Sequence, residues 1–189
     1  MNNIAIFASG TGSNFVAINQ SIINKELNAN LVLLVSDKPE CKAIKTANEL
    51  QIKTFSFEPK NYKKKKQFEQ EIVQKLQEEN VDLIVLAGYM RLIGETLLSE
   101  YKNRIINIHP SYLPHFKGKD AIGQALIHRP EYTGVTVHYV DEGMDTGSII
   151  EQVKIDLLEN ETRETLEQRV HKLEHMLYPK VIKKVLEEL

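Results

Sequence analysis

The chain has 189 residues, of which 42% are hydrophobic and 26% charged, and this is typical of a globular protein with one sizeable core. Its formal net charge of −2 argues against a protein that binds nucleic acid through a global basic field. The single cysteine, Cys41, excludes an internal disulfide and favours a reducing cytoplasm. We expect no signal peptide, no membrane span and no structural zinc site, because the sequence lacks the required segments and Cys/His spacing.

The first segment of the chain predicts a phosphate site. Residues 3–8 form a short apolar run typical of a strand covered on both faces, and the glycine-rich turn 9–14 (Ser-Gly-Thr-Gly-Ser-Asn) leads from it into a helical pattern. Backbone N–H groups of such a turn, together with a helix N-terminus, favour an anion. Phe15 stands where a dinucleotide fingerprint has its third glycine, so we expect a small phosphate monoester. The alternative is a plain turn in which Ser13 and Asn14 cap the helix.

The next segments continue the alternation of strands and helices. A buried strand over residues 31–36 ends at Asp37, which we expect to be a turn residue or a helix cap, although an acidic residue at this place binds a ribose in dinucleotide folds. A helix over residues 41–50 and a short strand over 53–57, towards a sheet edge, follow. The four lysines at 63–66 open another helix and are either a solvated helix start or an electrostatic landing area for an acidic ligand.

The middle of the chain contains a predicted strand that ends in two polar side chains. Residues 81–87 are the strongest strand pattern, and the apolar turn 88–93 after them either lines a pocket for a flat heterocycle or packs on a neighbouring loop. The β-branched residues of 105–109 predict another strand. Asn107 and His109 are two residues apart, so they point to the same face and place an amide beside an imidazole. Ligands of open parallel sheets bind at such exits; the alternative is a buried asparagine with a capping histidine.

The last third of the sequence predicts a hairpin and a long helix. Residues 132–140 alternate in polarity and connect through the acidic turn 141–147 to a strand at 148–155, which indicates an antiparallel hairpin. Thr162 opens a helix whose apolar stripe runs to the end of the chain, with a kink expected at Pro179.

This order of elements predicts an α/β fold. We expect one domain over residues 1–189, built as a Rossmann-like open sheet that is mostly parallel, with an antiparallel hairpin near one side and helices on both faces. The turns at 9–14 and 88–93 and the strand exit at 107–109 all follow strands, so they should gather along one edge of the sheet.

Four motifs carry a resemblance that covers essentially the whole chain. They are Ala-Ser-Gly-Thr-Gly-Ser-Asn at 8–14, Leu-Ala-Gly-Tyr-Met-Arg at 86–91, Ile-Asn-Ile-His-Pro-Ser-Tyr-Leu-Pro at 106–114 and Gly-Met-Asp-Thr-Gly at 143–147. In this order they resemble the folate-dependent formyltransferases, and among them the phosphoribosylglycinamide formyltransferases of purine biosynthesis. The resemblance implies transfer of a formyl group from the co-substrate 10-formyltetrahydrofolate to the amine of 5'-phosphoribosylglycinamide. It implies no metal, no nucleic-acid partner and no membrane partner, and either a monomer or a homodimer.

The resemblance also implies roles for individual residues. The implied catalytic residues are Asn107, His109 and Asp145. The implied contacts of the ribonucleotide substrate and its phosphate are Gly12, Ser13, Asn14 and Glu174. The implied folate contacts are Lys65, Met90, Arg91, Leu92, Ile93 and Asn107. Lys65 falls where some members of the family carry an arginine, and Tyr112 and Ser148 replace a common leucine and proline. Glu174 has the alternative of a solvated helix carboxylate.

The residue types at the strand exit suit formyl transfer independently of the resemblance. Negative charge develops on the formyl oxygen when an amine attacks, and an amide (Asn107) and an imidazole (His109) stabilise such an oxyanion. Unless it is only a turn residue, we expect Asp145 to orient His109 and raise its pKa, or to move the amine proton through a water. The remaining histidines are expected at the surface or in packing: His115, His128, His138, His171 and His175.

Four other functions stay open from the sequence. Methionyl-transfer-RNA formyltransferases share the Asn-x-His-Pro element and normally add a C-terminal domain, while formyltetrahydrofolate deformylases normally add an N-terminal regulatory domain. Phe15 disfavours a dinucleotide-dependent oxidoreductase of similar fold. A non-catalytic binding module would not require the set Asn107, His109 and Asp145.

Overall fold

The computed structural model describes all 189 residues, Met1–Leu189, and its strands form one sheet. The seven strands are β1 (Asn2–Phe7), β2 (Ala29–Ser36), β3 (Thr54–Ser56), β4 (Leu83–Leu86), β5 (Ile105–His109), β6 (Tyr132–Tyr139) and β7 (Ile149–Asp156). They lie side by side in the order β3-β2-β1-β4-β5-β6-β7. Strands β1 to β5 are parallel, whereas β6 is antiparallel to both β5 and β7. The predicted mostly parallel sheet with an antiparallel hairpin at one side is confirmed.

Helices cover both faces of this sheet, as predicted. They are α1 (Ser13–Ile23), α2 (Lys42–Glu49), α3 (Lys65–Glu78), α4 (Glu95–Glu100), α5 (Ala121–His128) and α6 (Arg163–Glu187), with a short 3-10 helix at Pro59–Asn61. Successive side chains of a strand point to opposite faces, so Ile4 and Ile6 of β1 enter a core with α1, α2, α5 and α6. Ala5 and Phe7 enter a second core with α3 and α4.

The predicted strands and helices differ from the observed ones mainly at their ends, by one or two residues. The kink expected at Pro179 does not interrupt α6, which continues from Arg163 to Glu187 with the proline buried. Tyr178, the residue before it, is fully buried and donates from its hydroxyl to the carbonyls of Leu86 (2.6 Å) and Ile106 (3.3 Å). This contact fixes α6 against β4 and β5.

The strand order reverses between β1 and β4. From β1 the chain proceeds outwards through β2 to β3, and it then returns to place β4 on the other side of β1. The loops after β1 and β4 therefore separate at the carboxyl ends of neighbouring strands, and a crevice opens between them. None of the helices combines the length and the hydrophobicity that a bilayer crossing requires.

Candidate active site

A cavity of about 740 Å³ lies at this crevice, along the carboxyl ends of β1, β4 and β5. The predicted site residues that line it are Gly12, Ser13, Asn14, Met90, Arg91, Leu92, Ile93, Asn107, His109, Asp145 and Glu174. Lys65 does not line the cavity, because its exposed side chain stands at the first residue of α3, a helix that packs in the second core. The folate contact predicted for Lys65 therefore has no support from the position of this side chain.

The side chains of Asn107, His109 and Asp145 converge in this cavity from β5 and from the turn between β6 and β7. The Nδ1 atom of His109 lies 3.5 Å from Oδ2 of Asp145, which also accepts a hydrogen bond from the backbone N–H of Gly118 at 2.8 Å. The Nε2 atom of His109 lies 2.8 Å from the Phe116 carbonyl oxygen, which only accepts, so Nε2 carries a proton. Nδ1 is therefore the ring nitrogen that remains for chemistry, beside a carboxylate.

Burial lowers the pKa of His109, and this effect outweighs the opposite influence of the Phe116 carbonyl and the Asp145 carboxylate. Asp145 does act to raise the pKa of His109, as expected. The pKa is nevertheless lowered overall, so the expected rise is wrong. Burial also acts to raise the pKa of Asp145, yet the neighbouring His138 and His109 rings and the hydrogen bond from Gly118 lower it overall. At neutral pH the cluster thus contains a carboxylate beside a neutral imidazole.

His138 belongs to the same cluster, which the sequence did not indicate. Its Nε2 atom lies 3.3 Å from Nδ2 of Asn107 and 3.6 Å from Oδ1 of Asp145, and its Nδ1 donates to the Tyr139 carbonyl at 2.7 Å. The reason is the pairing of β5 with β6, in which Asn107 stands opposite His138. The interpretation of His138 as merely a surface or packing histidine missed this contact, because a single sequence does not specify the register between two strands.

The glycine-rich turn takes its shape from Gly12, which precedes the first residue of α1. Gly12 has a left-handed conformation (φ 75°, ψ 25°), and an added Cβ would come within 2.8 Å of the Ala43 Cβ. Neither Ser13 nor Asn14 caps α1, so the helix-cap alternative is wrong and the first N–H groups of the helix are left for an anion. Asn14 instead donates from Nδ2 to Glu174 at 3.2 Å.

Glu174 on α6 is buried, with 5% of its surface exposed, and the bond from Asn14 is its one hydrogen bond within the protein. The alternative of a solvated carboxylate is therefore wrong. Burial raises the pKa of Glu174 to about 7. The Oδ1 atom of Asn14 is also buried without a partner. Both residues line the cavity, so they retain hydrogen-bonding capacity for a ligand.

Further basic side chains line the cavity. Besides Arg91, His109 and His138, they are Lys38, Lys119, Arg163 and His171. The side chains of Asn107, His109, His138 and Asp145 are called the polar cluster below. Arg163 is paired with Asp120 at 2.6 Å, whereas Lys38 and Lys119 are exposed and have no carboxylate partner. His171 is exposed, as expected, but it stands one helical turn before Glu174 on the wall of the cavity. Nowhere in the chain are three or more His, Cys, Asp or Glu side chains grouped to hold a metal ion.

Known proteins share this sequence and fold over nearly the whole chain. Residues 2–182 match the family described as formyl transferase. Phosphoribosylglycinamide formyltransferase of Bacillus subtilis (strain 168) is 55% identical over 186 residues, which are 98% of this chain and 95% of that protein. The trifunctional purine biosynthetic protein adenosine-3 of Drosophila melanogaster is 35% identical over 181 residues, which are 95% of this chain but only 13% of that protein.

Solved structures agree with these relatives. The crystal structure of phosphoribosylglycinamide formyltransferase from Bacillus halodurans has a TM-score of 0.95 and 48% identity, and covers 98% of this chain and 95% of its own. The structure of glycinamide ribonucleotide transformylase 1 from Geobacillus kaustophilus has a TM-score of 0.96 and 51% identity, and covers 98% and 99%. The chain therefore belongs to the formyl transferase family.

Proposed function

We propose that this enzyme transfers the formyl group of 10-formyltetrahydrofolate to the amine of 5'-phosphoribosylglycinamide, giving formylglycinamide ribonucleotide and tetrahydrofolate in de novo purine biosynthesis. The proposal rests on one observation. The glycine-rich turn 9–14, the apolar turn 88–93 and the side chains of Asn107, His109 and Asp145 all line the same cavity. The relatives named for this reaction support it. We also propose that residues 1–189 act as one formyltransferase domain in the cytoplasm, a reducing compartment that suits the free Cys41.

The ribonucleotide fits the end of the cavity beside α1. Its phosphate would accept hydrogen bonds from the backbone N–H groups of Ser13 and Asn14, with Lys38 adding positive charge. Glu174 would then accept a hydrogen bond from an amine or hydroxyl group of the same substrate, since its second carboxylate oxygen has no protein donor. A substrate bound in this way would extend from the glycine-rich turn and place its amine near Asn107, His109 and Asp145.

The folate fits the loop after β4. Met90 and Leu92 are 66% and 47% exposed, which is high for large apolar side chains, and both line the cavity. Tyr89 supports the loop from beneath by packing edge-on against Phe7, with ring centroids 5.3 Å apart. A flat pterin would cover the exposed apolar surface and bring the formyl group towards Asn107.

The polar cluster would carry the chemistry by direct attack of the amine on the formyl carbon. Negative charge on the formyl oxygen would be stabilised by Nδ2 of Asn107, joined by His109 once this residue has received the amine proton. The proton that the amine loses would reach Nδ1 of His109, directly or through a water, and the carboxylate of Asp145 would stabilise the imidazolium. Return of this proton to the folate nitrogen would accompany cleavage of its bond to the formyl carbon. No covalent enzyme intermediate is needed, and Cys41 does not line the cavity.

A folate absorbance assay tests the proposed function. The protein is mixed with 10-formyltetrahydrofolate, with and without the ribonucleotide, and release of tetrahydrofolate is followed. We expect release only when the ribonucleotide is present, and a loss of about 100-fold or more in kcat in His109→Ala, since both its donor and its proton acceptor are removed. His115→Ala is the matched control, because this exposed histidine does not line the cavity.

Two other outcomes of the same assay would contradict the proposal. Release without the ribonucleotide would identify a deformylase. No turnover in either mixture, with folded protein, would favour a non-catalytic binding module.

A further inference from the structure

Asp37 connects the two loops that flank the cavity, although its own side chain does not line it. It is buried at the end of β2, where Oδ1 accepts from the Ser9 hydroxyl at 2.5 Å and Oδ2 accepts from Nε of Arg91 at 3.0 Å. The Ser9 hydroxyl in turn accepts from the backbone N–H of Met90 at 2.9 Å. From the sequence, Asp37 was expected to be a turn residue or helix cap, or to contact a ribose. The observed network is a different role. One carboxylate ties the glycine-rich loop to the loop after β4.

Glu69 holds the other end of the loop after β4. This residue of α3 is only 2% exposed, and its carboxylate accepts from the backbone N–H groups of Gly94 (2.7 Å) and Leu97 (3.1 Å). These donors belong to the N-terminus of α4, which has no capping side chain of its own. An added Cβ at Gly94 would lie 2.6 Å from Oε1 of Glu69, so a side chain there would displace this carboxylate. Glu69 does not line the cavity either.

We infer that Asp37 and Glu69 are positioning residues, which together hold the loop of residues 88–94 in the conformation that receives the formyl donor. The inference rests on the proposed function, since it takes the folate to be the ligand of this loop. Between the two anchors, Met90 and Leu92 present exposed side chains to the cavity. Ordering a loop costs conformational entropy, and when the protein orders it beforehand this cost is not taken from ligand binding.

The two anchors predict a selective change in folate affinity. In Asp37→Ala, the dissociation constant of 5-formyltetrahydrofolate, a stable isomer of the donor, should rise about tenfold because hydrogen bonds to a charged group are lost. In Glu69→Gln, which retains one acceptor oxygen, the dissociation constant should rise by less. The affinity for the ribonucleotide and kcat at saturation should change less than about threefold. The glycine-rich loop keeps its backbone bonds, from Ser9 N to the Gly88 carbonyl (3.0 Å) and from Ala43 N to the Gly10 carbonyl (3.1 Å).

Isothermal titration calorimetry on the full-length protein measures both affinities, and Asp82→Ala is the matched control. The Asp82 carboxylate accepts a hydrogen bond from the backbone N–H of Asn3 at 2.8 Å. Asp82 immediately precedes β4, so it lies at the amino end of this strand, away from the cavity at the carboxyl end. Its loss should lower stability without changing folate affinity. Asp37→Asn retains one acceptor oxygen, so it should fold and should raise the folate dissociation constant by less than Asp37→Ala does.

The outcomes separate this inference from the proposed function. If the wild-type protein binds no folate, both are overturned. If the wild-type protein binds folate but Asp37→Ala, Asp37→Asn and Glu69→Gln bind it with wild-type affinity, only the positioning role is overturned. An equal loss of folate and ribonucleotide affinity in these variants would also overturn it, since that result reports a general loss of structure.

Discussion

Glu174 has an environment that opposes its own charge. It is buried, receives one hydrogen bond, from Asn14, and has a pKa raised to about 7 by burial. Ionising the carboxyl inside the folded protein costs free energy, which the protein bears when the cavity is empty. A ribonucleotide that donates a hydrogen bond to Glu174 would offset this cost, so the residue exchanges stability of the free protein for substrate recognition.

Glu174→Gln should therefore stabilise the protein in a pH-dependent manner. The folded-state pKa of about 7 lies above the ordinary 4.5, so the protonated carboxyl favours the folded state below pH 4.5, and this contribution is lost as the pH rises through about 7. Above that pH the variant should exceed the wild type in free energy of unfolding by about 3 kcal/mol, the equivalent of this pKa difference. Urea denaturation below pH 4.5 and above pH 7 measures the change.

Glu187→Gln serves as the control for that series, because Glu187 is exposed on the same helix and has no ion-pair partner. A stability difference that is the same at both pH values would refute the assignment of the raised pKa to Glu174.

Single residues could be predicted where a local pattern specified them. Asn107 and His109 share a face because they are two apart on one strand, and the sequence alone indicated this. The functions of His138 and Asp37 depend instead on partners that are 31 and 54 positions away, Asn107 and Arg91. Such contacts follow from strand register and loop packing, which no short segment of sequence encodes.

At the scale of elements, the turn from β1 into α1 depends on a glycine that no other residue replaces without strain. Gly12→Ala should lower the free energy of unfolding by about 2 kcal/mol or more, since it adds both left-handed strain and an overpacked Cβ. It should also weaken ribonucleotide binding, because the backbone N–H groups after it would move. Thermal unfolding and calorimetry with the ribonucleotide measure the two effects.

Gly10→Ala is the comparison for this turn, because an added Cβ there meets no heavy atom within 4 Å. We expect its unfolding midpoint to stay close to that of the wild type. If both alanine variants lose the same stability, the special role of Gly12 is excluded.

The elements themselves were largely predictable, since buried strands and amphipathic helices leave periodic patterns in the sequence. Their ends were less so, because termini depend on packing that a periodic pattern does not display. The kink expected at Pro179 stays a prediction, and α6 continues through this buried proline to Glu187.

For the whole molecule, the distribution of charge matters more than its sum. The net charge is −2, but exposed and unpaired lysines, Lys38 and Lys119, stand at the cavity. Added salt should therefore weaken binding of the ribonucleotide, because ions screen exposed charges. Calorimetry at low and high ionic strength measures the effect, which should be smaller in Lys38→Gln.

Lys45→Gln is the control for this charge argument. Lys45 is exposed on α2 and does not line the cavity, so its removal should leave the salt dependence as in the wild type. A dissociation constant that does not respond to salt in any variant would show that the lysines at the cavity do not attract the phosphate.

The fold class and the family, both predicted from the sequence, are confirmed for the molecule as a whole. Three of the four motifs, at 8–14, 86–91 and 106–114, fall at the carboxyl ends of the parallel strands β1, β4 and β5, where open α/β sheets bind ligands. The folate contact that the resemblance implies for Lys65 stays a prediction, since this side chain does not line the cavity.

The hydrogen bond between Asn14 and Glu174 joins residues 160 positions apart. This bond therefore forms only after most of the chain has been synthesised. A ribosome completes the glycine-rich turn well before α6, so the part of the sheet face that α6 covers stays exposed until this helix is made. The wall of the cavity that α6 contributes, with His171 and Glu174, is therefore completed only when α6 docks. A chain terminated before Arg163 would lack both Glu174 and the Tyr178 hydroxyl that contacts β4 and β5, so we expect such a fragment to be prone to aggregation.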